Sequence, residues 1–197
     1  KQKGDKVFFL TGTDENAQKN AQVAKLEGMD VQKFVDRSSK YFVELCEILN
    51  VEYDRFIRTT EKEHKKIAKE IFKKVYDKGE IYKGKYEGWY CTGCEAFITE
   101  KDLDDGKCPE HNKKPEWLSE DSYFFKLSKY KKELIKFAKK YIVPESKKNE
   151  IISRLEGDEL RDLCVARKNL DWGIDVPFDK SYKIYVWFDA LINYVSG

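Results

Sequence analysis

The sequence predicts an α/β protein whose parallel sheet is interrupted by a small β-rich insertion. Three observations lead there. Apolar runs alternate with stretches of helical periodicity up to Gly79. From Ile81 to about Phe125, aromatics, glycines and a cysteine cluster replace that periodicity. Helical patterning and one more strongly apolar run then follow, so the outer parts form one discontinuous layered unit around an insertion. The expected division is residues 1–79, 80–127 and 128–197.

Taken in order, Val7 to Leu10 (VFFL) reads as a buried strand that runs into a turn at Thr11-Gly12-Thr13-Asp14. Because the run touches the start of the sequence, it is expected to follow other elements of its sheet. A helix is expected from Glu15 to Glu27, capped by Thr13 or Asp14 and closed by Gly28. A second helix starts after Asp30, with Phe34, Phe42, Leu45 and Leu49 on one apolar face and Cys46 among them as a small core residue. Val51 to Arg58 reads as extended. Thr60-Glu61-Lys62-Glu63 forms a capping box, and Ile67, Ile71, Phe72 and Val75 form the buried stripe of the helix it opens, ended by Gly79. His64, among lysines in the first turn, reads as a solvated surface histidine. Beyond the insertion, Leu134, Phe137, Ala138 and Tyr141 share a helical face that Pro144 stops. A short helix is expected over residues 149–155, ending at Gly157. Lys183 to Phe188 (KIYVWF) reads as a second apolar strand.

The totals narrow the function classes. There are 38 basic and 36 acidic residues, a net charge of +2, so nothing draws the whole molecule toward nucleic acid. The lysine pairs read as solvated helix faces. No apolar run approaches the roughly 20 residues of a membrane-spanning helix. No signal-peptide core follows Lys1 to Lys6, so a soluble, cytoplasmic chain without a membrane partner is expected. The five cysteines are an odd number, and three cluster with a histidine, which in a reducing compartment favours metal over disulfide.

Cys91-Thr92-Gly93-Cys94 places two thiols on one knuckle, and Cys108-Pro109-Glu110-His111 supplies a second pair after a loop. Pairs with this spacing can meet as a tetrahedron around zinc. Four such ligands leave no open position, so the metal is expected to be structural. The loop from Glu95 to Lys107 has few apolar residues, and ligation is expected to supply its stability.

Six segments stand in one order: Phe9 to Gln18 (FLTGTDENAQ), Phe56 to Thr60 (FIRTT), Ile81 to Phe97 (IYKGKYEGWYCTGCEAF), Ser122 to Leu127 (SYFFKL), Asp171 to Pro177 (DWGIDVP) and Tyr185 to Tyr194 (YVWFDALINY). Together they resemble the catalytic half of the methionyl-tRNA synthetases, a family of class I aminoacyl-tRNA synthetases, over nearly the whole chain. The resemblance implies a Rossmann-like domain split by a zinc-bearing connective insertion. It implies activation of L-methionine with ATP and Mg2+ to methionyl-adenylate, then transfer to tRNA(Met). Asp14 matches the acidic residue that holds the methionine ammonium, and Arg167 an arginine close to the reacting groups, where a guanidinium stabilises developing negative charge. Trp187, Ala190 and Tyr194 match the side-chain pocket, with Leu191 and Ile192 between them. An aromatic wall suits a thioether, whose ring contacts are worth about 0.3–1.5 kcal/mol. On local grounds alone, Asp14 is a helix cap, Trp187 a core residue of a strand and Arg167 a surface arginine.

The sequence departs from the family pattern in places. Asn16 and Ala17 stand where a histidine and glycine are usual, and Leu191 where some relatives have proline. The HIGH-type and KMSKS-type signatures that handle ATP are absent, as is the anticodon-binding domain, so an internal piece of a longer polypeptide, inactive alone, is expected. Two alternatives remain. Leucyl, isoleucyl or valyl synthetases share some motifs but carry a larger editing insertion than fits between Thr60 and Trp172. A zinc-dependent RNA-binding module without catalysis would need a more basic surface.

Overall fold

Strands β1 (Leu10–Thr13) and β2 (Arg55–Arg58) pair in parallel, with Gly12 opposite Ile57. A side chain at Gly12 would collide with the Ile57 carbonyl, so glycine is what lets these strands close. The computed structural model describes residues 4–157, 160–168 and 170–197. Helix α1 (Gln18–Leu26) and helix α2 (Val31–Ile48) connect the two strands, and α3 (Lys62–Asp77) follows β2.

The second sheet is larger. Strands β3 (Ile81–Cys91), β4 (Ala96–Ile98), β5 (Glu116–Phe125), β6 (Leu163–Lys168), β7 (Asp175–Val176) and β8 (Asp179–Ile184) lie in the order β4-β3-β5-β6-β8-β7. Every pairing in it is antiparallel. This corrects the expectation of a mainly parallel sheet. Helices α4 (Lys131–Tyr141) and α5 (Glu145–Gly157) lie between β5 and β6, yet Phe125 pairs with Leu163. The helical hairpin thus returns the chain to the end of the sheet it left, where a parallel neighbour needs a crossover to the opposite end. Helices α6 (Val186–Leu191) and α7 (Asn193–Ser196) close the chain. The fold is therefore mixed α/β. Its core packs Ala68 and Phe72 of α3 against Ile81, Tyr123, Val165 and Ile184 of the sheet.

Several expected boundaries shift for identifiable reasons. β1 begins at Leu10 because the ladder to β2 begins there, and Phe8 before it is 66% exposed. Helix α1 begins at Gln18 and not Glu15, because the Glu15 carboxylate is drawn to Arg58 at 2.7 Å and to the Thr13 and Thr60 hydroxyls. That contact takes Thr60 away from the expected capping box, and Glu61 precedes α3 with no side-chain cap. Asp30 does cap α2, accepting from the Lys33 N–H. The inner face of α2 is Val35 and Ser39, whereas Phe42, Leu45 and Leu49 are exposed. Phe137 and Tyr141 of α4 are likewise exposed, and Ala138 is the buried residue of that face. The stripe on α3 is as expected, with Phe72 fully buried and Ile67, Ile71 and Val75 packed beside it. The apolar run at residues 183–188 is not one strand: β8 ends at Ile184, and Trp187 lies on a helix.

Candidate functional site

Two centres stand side by side. The first is built on the β3–β4 hairpin. Cys91 ends β3, Cys94 lies in the turn, and Cys91 pairs with Ala96 across it. Cys108 and His111 come from the following loop, held by Cys108 N–H to the Lys113 carbonyl and Asn112 N–H to the Cys108 carbonyl. The four ligand atoms lie within 4.8 Å of one another. Cys94 Sγ is 3.4 Å from Cys108 Sγ and 3.3 Å from His111 Nδ1, which lies 3.9 Å and 4.0 Å from Cys108 Sγ and Cys91 Sγ. A zinc tetrahedron with bonds of about 2.0–2.3 Å has edges of roughly 3.5–3.8 Å, so this donor set fits a metal ion. Gly93 is required, since a Cβ there would lie 2.5 Å from the His111 ring.

The second centre is a cavity of about 280 Å³ between the end of β1 and the α6–α7 helices. Its lining includes Gly12, Asp14, Ile57, Trp187, Ala190, Leu191, Asn193 and Tyr194. All five residues matched to substrate binding are thereby brought together from opposite ends of the sequence. Ile192 instead packs into the core. Asp14 opens to solvent at the rim, and Asn193 donates to its Oδ1 at 3.2 Å. Partial desolvation and the nearby Asp189 carboxylate push the Asp14 carboxyl above its usual range. An arriving cation would oppose that shift. Trp187 is 51% exposed and Tyr194 83%, so their faces are open to a ligand.

Arg167 does not line this cavity. It lies on β6, almost fully buried, with its Nε 2.5 Å from Glu120 Oε1 and its guanidinium 4.3 Å above the Tyr90 ring.

Behind the cavity lies a buried polar network that sequence reading missed. His64 is 1% exposed, not solvated: Nε2 is 2.6 Å from Asp189 Oδ1 and Nδ1 is 2.8 Å from the Ser196 hydroxyl. Asn16 donates to Asp189 Oδ2 at 2.7 Å and to the Thr59 carbonyl. Four parts of the site therefore meet on one carboxylate and one ring: the β1–α1 turn, α3, α6 and α7. The neighbouring lysines obscured His64, but its spacing did not. His64, Ala68 and Phe72 recur every four residues, and all three are buried.

An apolar, partly open cavity with a carboxylate at its rim has the chemistry to accommodate a small molecule with a cationic end and an apolar body. A family model described as "tRNA synthetases class I (M)" matches residues 1–114 and 100–197, and the chain belongs to that family. The methionine–tRNA ligase of Clostridium tetani is 47% identical over 197 residues, covering 98% of this chain and 31% of that protein. The methionine–tRNA ligase of Thermotoga maritima is 42% identical over 201 residues. The chain thus spans about a third of the length of the curated relatives it matches. Among solved structures, Mycobacterium tuberculosis methionyl-tRNA synthetase bound by methionyl-adenylate superposes with a TM-score of 0.89 at 39% identity, over 97% of this chain and 39% of that one.

Proposed function

We propose that this chain is the amino-acid-binding portion of a methionine–tRNA ligase, which activates L-methionine with ATP to methionyl-adenylate and transfers the methionyl group to tRNA(Met). The observation that carries the reading is the cavity, which Asp14, Trp187, Ala190, Leu191 and Tyr194 line together. It occurs in a chain 39% identical to a protein whose crystal structure holds methionyl-adenylate.

In this reading β1, β2 and α1 to α3 are part of a Rossmann-like core. Its ligand sits outside the carboxyl ends of the strands, where Asp14 follows β1. Asp14 accepts the substrate ammonium, whose charge favours the carboxylate form. Trp187 and Tyr194 enclose the thioether chain. A methylene in an apolar pocket is worth only about 1–3 kcal/mol, so selectivity depends on the shape these walls hold. Arg167 acts from behind, holding Tyr90 through its face and Glu120 through its charge. Zinc at Cys91, Cys94, Cys108 and His111 supplies stability to a loop that lacks a core of its own. ATP, its magnesium and tRNA are partners of the full-length polypeptide. Among the described residues no helix is long and apolar enough to cross a membrane.

The test is methionine-dependent exchange of pyrophosphate into ATP by the full-length polypeptide. Exchange with methionine well above leucine, isoleucine and valine is expected. Exchange led by one of those three would place the chain with a sister synthetase. RNA binding with no exchange at all would favour a non-catalytic zinc module.

A further inference from the structure

The turn that carries Cys94 also reaches the pocket. Glu95 follows Cys94 directly and has φ 50°, the left-handed region that few residues other than glycine adopt. Its carboxylate accepts the Lys19 N–H at 2.8 Å and the Tyr90 hydroxyl at 3.0 Å. Lys19 stands in the first turn of α1, whose preceding residue, Ala17, has no side-chain cap to offer. Glu95 therefore caps that helix from a distant part of the sequence, with a negative charge at the favourable end. Its carbonyl oxygen accepts the Trp187 indole N–H at 3.1 Å and the Tyr185 hydroxyl. A carbonyl oxygen has two lone pairs, and both are engaged.

We infer that Glu95 is the positioning residue that couples the Cys91/Cys94/Cys108/His111 metal site to the amino-acid pocket by holding the Trp187 indole. The inference rests on reading the cavity as the amino-acid site. A left-handed glutamate persists only where its surroundings over-determine it. Ligation of Cys94 fixes the turn on one side, and the bonds to Lys19 and Tyr90 fix it on the other. Together they aim the carbonyl at Trp187. Packing alone does not hold that ring, since half of it is open to solvent. With the thiols unligated, the turn is free to relax, the carbonyl leaves the indole, and the pocket wall rotates. The metal then sets side-chain selectivity without touching substrate. Coupling of this kind is reciprocal, so loss of the indole N–H must also weaken metal binding.

The experiment uses the full-length polypeptide with 5-fluorotryptophan incorporated and zinc bound. The Trp187 fluorine resonance is assigned by its loss in Trp187→Phe, and that of Trp172, which donates to the Glu15 carbonyl and not to Glu95, by Trp172→Phe. Removing zinc with a chelator should move or broaden the Trp187 resonance and leave that of Trp172 in place. Glu95→Gly, which frees the turn, should do the same with zinc still bound, and Glu95→Gln, which keeps an acceptor oxygen, should restore the parent position. The methionine KM should rise about two- to tenfold in Glu95→Gly with kcat little changed, the range of one lost hydrogen bond. In chelator competition, Trp187→Phe should bind zinc about two- to tenfold more weakly. If Glu95→Gly does not fold, zinc removal and the Trp187→Phe affinity decide the matter. A Trp187 resonance indifferent to zinc, with unchanged zinc affinity in Trp187→Phe, overturns the coupling. A resonance that responds in a protein that binds no amino acid upholds the coupling and removes only the reading of the cavity.

Discussion

Truncating His64 to alanine leaves Asp189 with one of its two side-chain partners in a site closed to water. Both residues are 1% exposed, and 2.6 Å separates Nε2 from the carboxylate. Leaving a buried hydrogen-bonding group without its partner costs about 1–3 kcal/mol. Asp189 keeps the Asn16 amide at 2.7 Å, but the truncation also leaves a cavity where the ring was, so a loss of about 2–3 kcal/mol is expected. Asp189→Asn keeps the shape and can still pair with its neighbours, for a loss of about 1–2 kcal/mol. The double variant should lose less than the two losses added, by about 1–2 kcal/mol, because either change alone already breaks the same contact. Urea unfolding followed by circular dichroism gives all three values by linear extrapolation. A loss below about 0.5 kcal/mol for His64→Ala, the range of a surface substitution, would refute the reasoning, as would strict additivity.

Three further predictions follow from the site and the core. Cys94→Ser should lose the one tightly bound zinc expected per chain, measured by metal analysis, and should open residues 91–117 to protease while the remaining core resists. Asp14 is held above the usual carboxylate range, so its ionised form opposes folding: the stability it contributes is present below about pH 4 and lost as pH rises through its folded value. Asp14→Asn should accordingly gain less than about 1 kcal/mol near neutral pH and nothing in acid, the discount reflecting its exposure, while weakening the binding of every amino acid alike. Phe72→Ala should cost about 3–5 kcal/mol in urea unfolding, since Phe72 is fully buried and meets Phe188 edge-on at 5.3 Å.

Much of the site was legible because its chemistry is carried by spacing. The paired cysteines and the Cys108/His111 pair announce a metal wherever the loop runs. The stripe on α3 follows from helical period alone. What failed was the assignment of period in short apolar runs. Residues 183–188 read as a strand because aromatic and β-branched residues crowd there, yet Trp187, Ala190, Leu191 and Tyr194 are spaced as one helical face, and that face lines the cavity. The parallel expectation failed because strand–helix alternation does not specify where a helical hairpin returns the chain. Phe42, Leu45 and Leu49 show that an apolar helical face in a sequence need not be the one buried. Glu15 and Thr60 had good local roles as a helix start and a cap, but they gave more to each other and to Arg58 across the parallel pair. No local reading could find Glu95, whose partners at Lys19 and Trp187 are 76 and 92 residues away.

The central claim is that this cavity selects an amino acid by its side chain. Steady-state pyrophosphate exchange with methionine, leucine and norleucine, for the full-length parent and Trp187→Ala, tests it most directly. Trp187→Ala is expected to lower the methionine-over-leucine ratio of kcat/KM by about tenfold or more, the range of 1–3 kcal/mol expected of one apolar wall. An unchanged ratio would contradict it, making Trp187 a packing residue and placing the selective pocket elsewhere.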